Sequence, residues 1–212
     1  MTRDEHAFAD ILEEAEQFGP LPMAVAHPCS QESLMGAVEL LRTTFAAAKD
    51  GTQNGPDVAV LRSVLQGGRK VAIAASTYPE LVAALDLAKE FGFEPVLVGA
   101  RDADRVLPRL AQQKAALVLE PLAFGQRLAQ LQLPTRLAEA GVPFCFGGNA
   151  ESLRLSAVLA VKNGLDRKTA LAALTRTPAM LFDQSTLVGS LRQGCGGDFV
   201  VFTGDPLDLT SA

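Results

Sequence analysis

The sequence is poor in several residue types on which common functions depend. Its 212 residues hold no tryptophan, one tyrosine, two histidines and three cysteines, and aromatic residues make up only 6%. So few flat rings argue against a surface on which nucleic-acid bases stack. Three scattered cysteines form no paired disulfide framework, which points to a reducing compartment. We therefore expect a cytoplasmic protein.

Charge and hydropathy argue against two classes of partner. Lys and Arg number 19 against 24 Asp and Glu, which leaves a net charge of −5, and the basic residues form no dense cluster. Nucleic acid and anionic membrane surfaces are therefore poor partners. No apolar run approaches the roughly 18 residues that a membrane-spanning helix needs. The hydrophobic content of 48% is instead typical of a globular chain of one domain or slightly more.

Helical periodicity dominates the first part of the chain. Apolar residues recur at helical spacing within residues 4–18, with acidic residues on the other side. A second helix is predicted to begin after Ser30 and to end near Asp50. Residues 1–50 are thus predicted to hold N-terminal helices. Residues 51–68, which begin with a dense run of turn residues, are predicted to be a loop or linker.

Four short apolar runs follow, each rich in β-branched or aromatic residues. Their starts advance by 25, 21 and 27 residues, and helical periodicity separates one run from the next. Short runs with little polar alternation are typical of parallel strands that are covered on both faces. Residues 69–187 are therefore predicted to form about four parallel β/α units, and residues 188–212 a β-hairpin around a glycine-rich turn. The four runs begin at Val71, Val96, Leu117 and Phe144.

Four parallel strands cannot close a barrel of eight, so two strand edges would stay unpaired. Unpaired N–H and C=O groups on such edges need to be covered. Two solutions stay open from the residues alone. Either helices guard an open sheet, or another chain supplies the missing half.

Several segments from residue 33 onward together resemble the amidohydrolase superfamily of metal-dependent hydrolases, and its imidazolonepropionase-like branch in particular. The resemblance lies in their order and spacing, and it is most specific toward the end of the chain. It implies an α/β fold that is a partial, half TIM-like barrel. It also favours an oligomer, with a second copy or an amidohydrolase relative supplying the rest. The segments that carry it include Ala140-Gly141-Val142-Pro143-Phe144, Ala170-Leu171-Ala172-Ala173-Leu174-Thr175, Val188-Gly189-Ser190-Leu191 and Gly204-Asp205-Pro206-Leu207.

The same comparison shows that this sequence departs from the family at its metal ligands. The family's His-x-His pair is absent from the whole sequence, and neither His6 nor His27 falls at a matching position. The resemblance implies a histidine, a second histidine and an aspartate at three strand ends. This chain has there Ile73-Ala74-Ala75-Ser76, Val98-Gly99-Ala100-Arg101 and Asn149. A neutral amide cannot act as a base and is a poor substitute for a charged ligand. We expect no metal, no cofactor and no catalytic residues in this chain alone.

Other catalytic chemistries have little support. No Gly-x-Ser-x-Gly nucleophile motif is present, and only two histidines could serve a Ser–His–Asp arrangement. Cys145 lies in an apolar run, where a buried and inert thiol is expected. Cys195 lies on a glycine-rich turn and is predicted to be exposed.

The sequence thus predicts a truncated amidohydrolase-like protein that acts as an inactive structural or regulatory subunit. The alternative is a hydrolase of non-peptide C–N bonds whose missing ligands for a divalent metal such as zinc come from a partner chain. Groups just past the strands would line any vestigial pocket, because parallel strands end at a shared edge. Arg101 and Glu120 there could bind a polar ligand, pair with each other or face solvent. The predicted pocket residues are Ser76, Thr77, Arg101, Glu120 and Asn149.

Overall fold

The computed structural model describes residues 23–24, 31–52, 56–68 and 70–211. Its centre is a parallel sheet in which strands that follow one another along the chain are neighbours in space. Each pair lies in parallel register, for example Ile73 beside Leu97 and Leu97 beside Leu117. The five strands are β1 (Met23–Ala24), β2 (Val71–Ala75), β3 (Pro95–Gly99), β4 (Ala116–Leu119) and β5 (Phe144–Phe146).

One or more helices follow each strand of the sheet along the chain. They begin and end at local signals, such as the proline in the first turn of the helix after β2 and the left-handed Gly92 that ends it. A short 3-10 helix, Ala103–Arg105, follows β3. The α-helices are α1 (Gln31–Asp50), α2 (Pro56–Leu65), α3 (Tyr78–Phe91), α4 (Leu107–Gln112), α5 (Leu128–Leu131), α6 (Leu133–Glu139), α7 (Ala150–Lys162), α8 (Arg167–Leu174) and α9 (Arg176–Leu181).

The two faces of the sheet contribute to different hydrophobic clusters. Alternate strand residues such as Ile73 and Leu97 belong to the main core, which they share with helix residues such as Leu81 of α3. The residues between them point to the opposite face, which we call the inner face, because successive side chains of a strand alternate. Val96 on that inner face belongs to a second, smaller cluster that also includes Leu181 of α9.

Helix α9 closes part of the inner face of the sheet. The side chain of Leu181 is only 3% exposed and packs with Val96 and Cys145, and Phe182 lies against the same cluster. A single lysine holds the end of this helix beside the start of β2. The Nζ of Lys70 donates to the carbonyl oxygen of Met180 at 3.1 Å and lies 3.1 Å from the carboxylate of Asp183. Part of the surface that a closed barrel would hide is thus covered here by the chain's own residues.

Most of the predicted elements are present. The four predicted parallel strands and their helices are confirmed, and so is the helix after Ser30. The helix predicted within residues 4–18 lies outside the described residues. Strand β1 adds a short edge strand that the sequence pattern did not indicate. None of the described helices is long and apolar enough to cross a membrane.

The prediction that residues 51–68 form a loop or linker is wrong for most of that range. Helix α2 begins at Pro56, where a proline suits the first helical position. Val58 and Val64 are buried, and α2 lies against α1. The turn residues before Pro56 therefore join two packed helices.

The prediction of a β-hairpin in residues 188–212 is also wrong. Residues 188–211 contain no strand. The segment forms turns instead. The N–H of Gly196 donates to the carbonyl oxygen of Leu187 at 2.6 Å. Arg154 donates to the carbonyl oxygens of Pro206, Asp208 and Ser211. The Arg154 contacts hold the end of the segment against α7.

Candidate functional site

Three of the predicted pocket residues meet at the carboxyl ends of β2, β3 and β4. The hydroxyl of Ser76 donates to Oε1 of Glu120 at 2.9 Å. Nη2 of Arg101 lies 3.3 Å from that same oxygen, and Nε of Arg101 lies 3.4 Å from Oε2. Parallel strands end at one edge of the sheet, and this edge brings one polar residue from each strand together. We call these three residues the strand-end triad.

The strand-end triad contains one positive and one negative charge. The Glu120 carboxylate, through its hydrogen bonds and its charge, raises the pKa of Arg101 above its ordinary value, and the charges of Asp102 and Glu80 add to this effect. The guanidinium is therefore a permanent cation among carboxylates. Both side chains of the pair are about half exposed, so water screens the pair and its contribution to stability is small.

Gly99 leaves the space in which Ser76 and Glu120 approach each other. A Cβ atom at this position would lie 2.2 Å from the hydroxyl oxygen of Ser76 and 3.6 Å from Oε1 of Glu120. The φ angle of +101° is also one that side chains with a Cβ rarely adopt. Sequence reasoning missed this role, because the glycine is conspicuous only once its neighbours in space are known.

Thr77 lies beside the triad but belongs to the start of α3. The Glu80 carboxylate accepts the backbone N–H groups of Ser76 at 2.7 Å and Thr77 at 3.0 Å. The carboxylate of Asp102 accepts the N–H of Tyr78 at 3.1 Å. Both acids satisfy N–H groups that the first turn of a helix leaves unpaired. They stabilise the helix start that positions Ser76.

Asn149 has a local role at the start of α7. Its side-chain oxygen accepts the N–H of Ser152 at 2.9 Å, which makes it the N-cap of that helix. Within the described part of the chain, Asn149 has no hydrogen bond to a member of the triad. The structure therefore brings together three of the five predicted pocket residues, with Thr77 adjacent and Asn149 engaged elsewhere.

These groups do not fit a catalytic divalent metal. Such a site needs several nitrogen or oxygen ligands around one point, whereas the triad offers one carboxylate and one hydroxyl. Arg101 already neutralises that carboxylate, and a fixed guanidinium at 3.3 Å repels a second cation. Across the described ranges, no three His, Cys, Asp or Glu side chains cluster as metal ligands would. Both histidines, His6 and His27, lie outside the described residues.

The described cysteines have different surroundings. Cys145 lies on the inner face of the sheet, and burial raises the pKa of its thiol to about 11, so at neutral pH the thiol is protonated and unreactive. Cys195 is partly exposed and contacts the carbonyl oxygen of Thr186 at 3.5 Å. Both are free thiols.

Comparison with known proteins supports the fold. The sequence matches no family model and no curated protein. An amidohydrolase from Thermotoga maritima is similar over 91% of this chain and 60% of its own, with a TM-score of 0.78 and 21% identity. Uncharacterized metal-dependent hydrolases from Pyrococcus horikoshii and Pyrococcus furiosus are similar over 71% and 72% of this chain and 37% and 36% of their own. Their TM-scores are both 0.54, at 22% and 19% identity.

These similarities concern only part of each neighbour. The chain spans about 60% of the length of the Thermotoga structure and less of the other two. At such identities the likeness establishes the fold. The chain shares the fold of the matched part of the Thermotoga amidohydrolase structure, and the predicted α/β fold of a partial barrel is confirmed at that level.

Proposed function

We propose that this chain is a structural or regulatory subunit with an amidohydrolase-like fold and no catalytic metal. The observation that carries this proposal is the strand-end triad. It places the Arg101 guanidinium against Glu120, at the sheet edge where the family resemblance implies metal ligands. The positive charge of Arg101 already neutralises Glu120 and would repel a divalent cation that approached the same carboxylate. The groups nearby serve helix starts, and none of them is arranged as a base for water.

A partner that supplied the missing strands would not restore the implied ligands. The positions where the resemblance implies a histidine and an aspartate fall at the ends of β2 and β5 in this chain. Ala74 and Asn149 occupy them. The proposed partner is therefore a second copy of this chain, or an amidohydrolase relative that keeps its own metal ligands. The free thiols of Cys145 and Cys195 suit the proposed cytoplasmic location.

Metal content and hydrolysis test this proposal together. The purified chain is incubated with Zn²⁺ or Mn²⁺, desalted and analysed for metal, and then assayed on a panel of substrates with non-peptide C–N bonds. We expect less than about 0.1 metal per chain, because a site without its ligands does not retain a transition metal through desalting. Wild type and Glu120→Gln should be equally inactive.

One metal per chain, together with hydrolysis that a chelator abolishes, would overturn the proposal and favour the hydrolase alternative. Loss of both properties in Glu120→Gln would then place that metal at the strand-end triad. The variant is a suitable control because it keeps the shape of the side chain and removes its charge.

A further inference from the structure

An apolar stretch near the end of the chain is exposed to a degree that is unusual for a folded protein. Phe199 is 69% exposed, Val200 76% and Val201 78%. Within the described part of the chain, their backbone N–H and C=O groups form no hydrogen bond. Residues 196–202 contain no turn or bend. The stretch therefore has the composition and the straight course of a β-strand, without a neighbouring strand.

Contacts at both ends hold this stretch in place. Before it, the N–H of Gly196 donates to the carbonyl oxygen of Leu187. After it, the guanidinium of Arg154 lies 4.9 Å from the centre of the Phe202 ring and binds the carbonyl oxygen of Pro206 at 2.9 Å. A segment that is already positioned loses little conformational entropy on pairing.

The apolar surface around the stretch approaches the area of one side of a standard dimer interface. Its exposed side chains present on the order of 600 Å² of surface, at the upper end of what a typical monomer leaves in one patch. A standard interface buries roughly 800 Å² on each partner. A groove of about 690 Å³ adjoins the patch, and its walls include Phe182 of the helical part and Phe199 and Val200 of the stretch. The patch consists of Leu187, Val188, Leu191, Phe199, Val200 and Val201.

We propose that residues 198–202 pair antiparallel with the same residues of a second copy, forming a two-stranded ribbon about a two-fold axis. A two-fold interface uses the same patch on both partners, so the patch must be complementary to itself. A pairing centred on Val200 places this residue opposite its own copy, because the two-fold axis of an antiparallel pair of identical strands passes between two directly opposed residues. Phe199 then lies opposite Val201, and Asp198 opposite Phe202.

This register brings no like charges together. Residues 199–202 carry no charge, and the one acid, Asp198, lies opposite the uncharged Phe202. Apolar β-branched and aromatic pairs are the favourable cross-strand neighbours. Pairing also satisfies the backbone groups of the stretch. This inference rests on the proposed function and specifies a second copy of this chain as the partner. Measuring the solution mass tests it separately from the metal content.

The first experiment is the solution mass of the full chain as a function of concentration, up to about 100 µM. We expect a dimer of twice the chain mass of 22.3 kDa. Val200→Glu should weaken association by at least about 100-fold, because it removes two buried valines and introduces two desolvated charges. Phe124→Glu is the matched control, since Phe124 is 72% exposed outside the patch, and it should leave the dimer intact.

The second experiment tests the register. Mixing the Val200→Glu chain with a Val200→Lys chain places opposite charges across the two-fold axis and should recover about tenfold of the lost affinity. Amide hydrogen exchange in residues 199–202 should slow as the dimer forms. The proposal would be overturned if the wild-type chain stayed monomeric throughout the concentration range. It would also be overturned if the chain associated only with a different protein and not with itself. A dimer that survives Val200→Glu, or leaves these amides unprotected, would overturn it as well.

Discussion

Truncating Leu181 to alanine should lower the free energy of unfolding by about 2–3 kcal/mol. The side chain is 3% exposed and packs on the inner face of the sheet with Val96, Ala116 and Cys145. Leucine-to-alanine changes in closed cores cost about 2–5 kcal/mol, of which part arises from the cavity that is left. The nearby inner-face residue Val118 is only partly buried, so this site is not sealed and the cavity contribution is small. The lower half of the range therefore applies.

Urea unfolding followed by circular dichroism measures this cost. With a denaturant dependence of about 2–3 kcal/mol per molar, the midpoint should fall by roughly 1 M at an unchanged slope. Met180→Ala is the matched control, because Met180 precedes Leu181 in α9 and is 43% exposed. Its cost should stay below about 1 kcal/mol. Equal midpoints for the two variants would refute the idea that α9 closes the inner face.

Three further predictions concern single positions. Gly99→Ala should cost about 1–3 kcal/mol through its positive φ and its approach to Ser76, and combining it with Ser76→Ala should recover part of that cost in urea unfolding; full additivity would contradict the clash. The pKa of Cys145 rises from 9.0 to about 11 on folding, so the folded state keeps a proton that the unfolded state releases. Stability should therefore fall as pH rises from 9.0 toward about 11, and a persistent slope in Cys145→Ala would assign it to other groups. Asn149→Ala should cost about 0.5–2 kcal/mol by removing the cap of α7, whereas Asn149→Asp should keep the cap and create no metal-dependent hydrolysis.

The site was partly predictable because parallel strands end at one edge. Ser76, Arg101 and Glu120 each follow a recognisable strand, so their nearness could be expected. Their pairing could not, since a polar ligand or solvent could have engaged the same groups equally well. Asn149 also follows a strand, yet the N–H of Ser152 three residues later engages its side chain.

Local pattern was sufficient for the elements that neighbouring residues stabilise. Apolar runs between helical segments predicted β2 to β5, and helix signals predicted α1, because hydrophobic periodicity and capping act within a few residues along the chain. Local pattern failed to predict the structure of segments whose conformation depends on residues distant along the chain. The stretch around Val200 has every local mark of a strand, but a strand forms only where another lies alongside it, and in this fold none of the described strands does. Long-range packing likewise made α2 a helix, placed Leu181 on the inner face and turned Arg101 toward Glu120.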